Sequence, residues 1–199
     1  ATALAEAAQE LGGCSVLVNN AGMSMRGAFP EISAEVFSRV CETNITGSAL
    51  ATQALLPALQ RHGGSVIFVS SVAGMTGFPG VSIYAAAKMA LSGLAESLRG
   101  ELHGSGVHVG VIHPGFTEND ADKRILAADG SPLSLTRPYD MTQVAVARHI
   151  VRMVERRTER KVLTRKGQLL RIVQRLSPRL TSAIIRRSAG NIHGAASLR

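Results

Sequence analysis

Three side chains able to handle a proton, Ser71, Tyr84 and Lys88, share the apolar, glycine-rich stretch VSSVAGMTGFPGVSIYAAAK at residues 69–88. A free phenol titrates at about pH 10, too high for efficient proton exchange near neutrality. A nearby ammonium favours the phenolate and draws that value down. A serine hydroxyl can hold a substrate oxygen against the phenol. Together these groups shuttle a proton to or from an alcohol or carbonyl oxygen. They supply no electron pair for the carbon, so a hydride carrier is implied.

The surrounding elements must bring these groups together. Residues 14–20 (CSVLVNN), 63–71 (GGSVIFVSS) and 107–115 (VHVGVIHPG) are short, branched, apolar runs, as fully buried strands should be, and RKVLTR (160–165) reads as a fourth. Helices are expected over 1–11, over 33–60 with Ser33 as N-cap, over 82–103, and over 141–157. The irregular segment 116–139, with two prolines, reads as a long loop holding at most one helical piece. Strand and helix alternating in this order predict a parallel sheet with helices on both faces, an α/β three-layer fold. Ligands of such sheets sit beyond the carboxyl ends of the strands. The strand ending at Val69 delivers Ser70 and Ser71 there. Tyr84 and Lys88, four apart on the next helix, lie on one face, a turn apart. NNAG (19–22) and HPG (113–115) end the neighbouring strands at the same rim.

These residues give the chain a family resemblance. LVNNAG (17–22), NITG (44–47), the serine pair with Tyr84 thirteen residues after Ser71, YAAAK (84–88) and HPG (113–115) occur in the order found in the short-chain dehydrogenase/reductases. These are NAD(P)-dependent oxidoreductases with a Rossmann-like, doubly wound sheet. Singly, Tyr84 fits a core tyrosine and Lys88 a helix residue with its stem buried; the joint spacing carries the reading. The resemblance implies Tyr84 as catalytic acid/base and Ser71 as the group positioning the substrate oxygen. It implies that Lys88 lowers the Tyr84 pKa and binds the nicotinamide ribose. Asn44 would hold a water relaying protons from Lys88. Asn20, Ala21 and Gly22 would line the adenosine side of the cofactor. Ser70, Pro114, Gly115, Phe116 and Thr117, with Tyr84 and Lys88, complete the cofactor set. Asn19 reads as structural, His113 as a strand-end histidine making one hydrogen bond. NAD and NADP both fit, with a lean toward NADP.

Two departures from the family pattern stand out. The family places a threonine four residues past the glycine of its PG turn, where this sequence has Asn119, leaving Thr117 as the nearer hydroxyl. The family also opens with a strand and a TGxxxGxG turn whose amides hold the pyrophosphate, and no such turn precedes NNAG. On that resemblance two βα units and a strand are missing, on the order of 60 residues. The native protein is expected to be longer, with a truncated, cofactor-free paralogue as the alternative.

Residues 1–165 are therefore expected to form a partial Rossmann domain, with 116–139 as a lid over the substrate. Met75, Phe78, Pro79, Phe116, Leu126, Leu133, Leu135 and Tyr139 flank the expected pocket. They are mostly apolar, and no basic cluster lies between residues 69 and 120. A neutral, hydrophobic alcohol or ketone is the expected substrate. Helices 33–60 and 82–103 would, by resemblance, pair in a homodimer or homotetramer.

The net charge of +8 is unevenly placed: residues 148–199 carry 14 basic and 2 acidic side chains. Within 166–199, Leu169, Ile172, Leu176, Leu180 and Ile184 form one helical stripe, kinked at Pro178, and Arg171, Arg175 and Arg179 share another face. Such a basic amphipathic extension can lie on an anionic membrane; packing on its own subunit or a partner is the alternative. Few aromatics and no recognition motif argue against nucleic acid. Two isolated cysteines, Cys14 and Cys41, form neither a disulfide framework nor a metal motif and point to a reducing cytoplasm. A non-catalytic Rossmann-like protein acting through its basic tail is the competing function.

Overall fold

The computed structural model describes residues 2–120, 122–134 and 137–196, without the side chains of 188–196. Leu135, expected at the pocket, lies outside the described residues.

The chain opens with α1 (Thr2–Glu10) and passes through Gly12 and Gly13 into β1 (Val16–Asn19). A two-residue strand, β2 (Met25–Arg26), precedes α2 (Ala34–Cys41). Ser33 caps α2 as expected, accepting a hydrogen bond from the Val36 amide. The single helix expected over 33–60 is interrupted by a widened π turn at Glu42–Thr46 before continuing as α3 (Gly47–Arg61). Then come β3 (Ser65–Val69), α4 (Ser82–Glu101) and β4 (His108–His113). A hairpin of β5 (Arg124–Ala127) and β6 (Pro132–Ser134) leads to α5 (Gln143–Glu155), β7 (Arg160–Val162), α6 (Arg165–Leu176) and α7 (Pro178–Ala196).

Four strands form one parallel sheet in the order β1-β3-β4-β7. Ile67 stands opposite Val18 and Gly110, and His113 opposite Val162. Strand side chains alternate between faces. From β3, Val66 and Phe68 pack with Leu55 and Leu59 of α3 and Leu91 and Ala95 of α4. Ile67 points the other way, to Ile112 and Met153 of α5. Both faces of β3 and β4 are thus covered, giving the expected three layers. Phe68 is fully buried between them, and its truncation to alanine costs about 3–5 kcal/mol. β1, expected to be fully buried, instead lies at the sheet edge with Val16 and Val18 exposed.

Among the described residues of 116–139, expected as a long loop, no helical piece occurs. The segment instead forms a β-hairpin, and β2, β5 and β6 make a second small sheet in which β5 runs parallel to β2. The cause is the Asp129–Gly130 dipeptide between apolar runs, which favours a hairpin turn. Asp129 accepts from the Ser131 amide at 2.9 Å, and Gly130 takes a φ of 89° that other residues resist. Leu126 packs into the core with Met25, Val36, Val40 and Ile83.

Because the main strands are parallel, Asn19, Val69 and His113 all end at one edge of the sheet. The residues of interest gather there.

Candidate active site

Ser71 leaves β3 in extended backbone and caps a short turn, its hydroxyl accepting from the Ala73 amide at 3.1 Å. The same hydroxyl faces Tyr84 and favours its phenolate. Tyr84 sits in the first turn of α4, partly buried against Met25, Val36 and Ala87. Lys88, one turn on, is buried, and its ammonium donates to the Val69 carbonyl at 2.9 Å. That ammonium lies 5.9 Å from the centre of the Tyr84 ring. Burial draws Lys88 down to about 8, with the charge of Lys123 as a second cause.

The Tyr84 phenol does not show the depression expected from Lys88. Burial pushes it up, outweighing the Ser71 hydroxyl and the positive charge of Arg137.

Asn44 occupies the π turn and is fully buried. Its side-chain amide donates to the Met23 and Val40 carbonyls, each at 2.8 Å, while its Oδ1 has no partner among the described residues. Bonding to Val40, four residues back, occupies an acceptor of the helical ladder, and a π turn is a common place for such a functional side chain. Gly22 lies against both groups: a Cβ there would stand 3.0 Å from Asn44 Oδ1 and 3.0 Å from Lys88 Nζ. An acceptor without a partner and an ammonium therefore meet at a position kept free of side chain.

A similar close approach occurs on the other side of Lys88. A Cβ on Gly74 would fall 2.7 Å from the Lys88 carbonyl, so this glycine lets the turn after Ser71 rest on the backbone of α4. Ser70, expected on the cofactor, is instead buried, with its hydroxyl donating to that same Lys88 carbonyl at 2.8 Å. It fixes β3 to α4 rather than facing the rim.

The remaining expected residues fall into two groups. Asn20 and Ala21, with Thr43, Gly47, Ser48 and Ala51, line a cavity of about 240 Å³ between β1 and α3. Asn19 turns inward and donates to the Thr52 hydroxyl at 2.9 Å, the structural role expected of it. At the end of β4, the Pro114 carbonyl accepts from the Val72 amide, tying the turn to the Ser71 segment. Gly115 packs on Thr164, and Thr117 bonds back to the Gly115 carbonyl at 3.4 Å. Phe116 is exposed, its amide donating to Asp140 at 3.1 Å. His113 bonds the Ser71 carbonyl through Nδ1 at 2.9 Å; a carbonyl only accepts, so Nδ1 carries the proton.

Arg137 was not foreseen. Its guanidinium stacks on the Phe116 ring at 4.3 Å, and its charge reaches Tyr84. No spacing in the sequence ties residue 137 to residue 84; only the hairpin and the closure of the loop at Thr117 and Met141 bring them near.

A model of the short chain dehydrogenase family matches residues 1–130. The chain belongs to that family. Among curated relatives, dehydrogenase/reductase SDR family member 7B of Bos taurus is 38% identical over 155 residues, covering 76% of this chain and 48% of the relative. Among solved structures, a short-chain dehydrogenase from Streptomyces avermitilis matches with a TM-score of 0.74 at 26% identity, covering 96% of this chain and 76% of that one. A gluconate 5-dehydrogenase from Burkholderia cenocepacia, in complex with NADP and tartrate, matches with a TM-score of 0.57 at 25% identity, over 59% of this chain and 47% of that one. The chain spans about half the length of the Bos taurus relative. This member of the short-chain dehydrogenase family has the Rossmann-type fold of its solved relatives. No group of three metal-ligating side chains occurs among the described residues.

Proposed function

We propose that the protein interconverts an alcohol and its carbonyl compound with Tyr84 as acid/base. The observation carrying this reading is the cluster in which Ser71 faces Tyr84, Lys88 lies one turn away, and Asn44 Oδ1 stands open beside Gly22. A bound nicotinamide nucleotide supplies or accepts the hydride at the substrate carbon. Tyr84 gives its phenolic proton to the carbonyl oxygen in reduction and regains it in oxidation. Ser71 donates to the same oxygen and holds it at the phenol. Lys88 stabilises the phenolate once the proton has left and holds ribose hydroxyls. Asn44 Oδ1 accepts from a water that passes protons from Lys88 to solvent.

The unpartnered Asn44 oxygen and the bare face of Gly22 fit a cofactor ribose, and the cavity at Asn20 and Ala21 fits the adenosine side. Gly115, Phe116 and Thr117 would meet the nicotinamide. NADP is the favoured form; the solved gluconate 5-dehydrogenase holds NADP. Residues 116–139 act as the lid. Met75, Phe78, Pro79, Leu133 and Tyr139 support a hydrophobic body for the substrate. The neutral character expected of it rested on residues 69–120, and Arg137 lies outside that window.

Exposed Phe37 and Leu50 on α2 and α3 support a homodimer or homotetramer. A second surface favours a membrane contact in a cytoplasmic protein. Leu169, Ile172, Leu176, Leu180 and Ile184 are each at least 49% exposed, beside exposed Arg171, Arg175 and Arg179. No helix among the described residues is long and apolar enough to cross a membrane.

The test is Tyr84→Phe in the full-length protein, assayed with NADH and NADPH against a panel of carbonyls. Turnover should fall at least about 100-fold with the far-UV spectrum preserved. Undiminished turnover in the variant would overturn the role of Tyr84. A protein that reduces nothing in the panel, while keeping its tail-dependent binding, would favour the non-catalytic alternative.

A further inference from the structure

The Tyr84 cleft carries positive charge that the described ion pairs do not neutralise. Arg137 is partly buried, held flat on Phe116 at 4.3 Å, and its Nε is buried without a hydrogen-bond partner among the described residues. It takes part in none of the described ion pairs within 4 Å, which join Arg39 to Glu35, Arg99 to Glu159 and Arg160 to Glu96. Arg26, at the end of β2, is close enough to repel it, and Lys123 acts on Lys88 in the same way. The acid that acts on Arg137, Asp140, already accepts from the Phe116 amide. Arg137 thus acts on the phenol and Lys123 on the ammonium, while Arg26 acts on Arg137 itself.

Holding a partly desolvated guanidinium near like charges is unfavourable unless an anion completes the set. The planar fork of arginine suits carboxylate or phosphate oxygens. We propose that Arg137, helped by Arg26, forms a subsite for a carboxylate on the substrate, so that the enzyme prefers oxo- or hydroxy-acids with a hydrophobic body. This subsite rests on the Tyr84 reading for its position and adds the chemical class of the substrate. Phe116 orients the guanidinium from one face, leaving its edge for the anion. A phosphate of the cofactor is the other source of the same chemistry.

The probes are 4-carboxybenzaldehyde and its methyl ester, which differ by one charge. In the full-length protein with NADPH, the KM for the acid should lie below that for the ester. Arg137→Gln should raise the acid-to-ester KM ratio about tenfold, and Arg137→Lys should restore part of it. Asp140→Asn, which keeps an acceptor for the Phe116 amide, should shift the ratio toward the acid. An unchanged ratio in Arg137→Gln with an unchanged melting midpoint overturns the subsite, as does a rise in the KM of NADPH instead. Binding of the acid is followed separately by calorimetry. Should neither aldehyde be reduced, the Tyr84 reading fails, and weakened binding of the acid by Arg137→Gln still supports the subsite. Equal binding by the two proteins refutes it.

Discussion

Asn44 donates its side-chain amide to the Met23 carbonyl at 2.8 Å, clamping the loop after β1 to the π turn of the α2–α3 helix. A second bond from the same amide holds the Val40 carbonyl. Asn44→Ala strands both acceptors, at about 1–3 kcal/mol for each buried group left unpaired. The urea midpoint should drop accordingly. Asn44→Asp, which keeps the shape but cannot donate while ionised, should drop it as well. A midpoint within error of wild type for both variants would remove the clamp from the account.

Lys88 gives stability a rising limb in alkali. In the unfolded chain it holds its proton up to about 10.5, in the fold only up to about 8. Between those values the unfolded state binds more protons, so stability climbs with pH, on the order of 3 kcal/mol across the whole interval. Tyr84 opposes this above its ordinary value of 10.0: raised by burial, it keeps its proton in the fold where the unfolded chain has lost it. The useful window is therefore pH 8 to 10. Urea titrations there should show a slope for wild type that Lys88→Met abolishes. A slope equal in both proteins would contradict the assignment.

His113 acts at the acid end. Burial lowers it to about 4 from 6.5, helped by the charges of Arg160 and Arg171 and opposed by its bond to Ser71. The unfolded chain therefore takes up this proton first. Stability should fall by about 3 kcal/mol as pH drops from 6.5 through 4. His113→Asn, whose amide can still donate to the Ser71 carbonyl, should lose less over that range. An identical acid limb in both proteins would place the sensitivity elsewhere.

Much of this arrangement was readable before any coordinates. The runs at β3 and β4 are rich in branched apolar residues because both faces of these two strands are covered, so alternation with polar residues is absent. Tyr84 and Lys88 sit four apart on a helix, where spacing alone sets the face. The reading weakened where long-range contacts decide. Ser70 looked like a rim residue because it adjoins Ser71, but successive residues of an extended chain point oppositely, and its hydroxyl went inward to Lys88. The π turn was invisible because it differs from a regular turn only in the spacing of backbone bonds, such as the Gly47 amide donating to the Glu42 carbonyl, which no residue type marks. The pairing of β2 with β5 involves two residues of each strand, too few for any periodicity.

Gly74 offers a test of backbone contact. A Cβ at this position would lie 2.7 Å from the Lys88 carbonyl, which cannot give way without moving α4, and 2.0 Å from Ser70 Oγ, which would have to leave its bond to that carbonyl. Gly74→Ala should cost at least about 1–3 kcal/mol by overpacking. It should also reduce turnover through misplacement of Ser71. Full activity with native stability would show that the turn can slide.

The membrane reading can be checked by flotation with vesicles of phosphatidylglycerol and of phosphatidylcholine. The protein should rise with the anionic vesicles only, and salt should weaken the association. Replacing Leu176 and Ile184 by aspartate should abolish it, at little cost to folding because both are exposed. Flotation retained by that double variant would assign the stripe to another partner.

The bulge at Glu42–Thr46 amounts to a single surplus residue in an otherwise regular rod. Excising Thr43 would let the rungs close up while the flanking segments kept their phase, and the rod itself would be sounder for it. The carboxamide would then swing away from the loop it grips. A shorter version of this helix is thus within reach of one codon deletion, and the lost hold on the Met23 carbonyl is what would count against it.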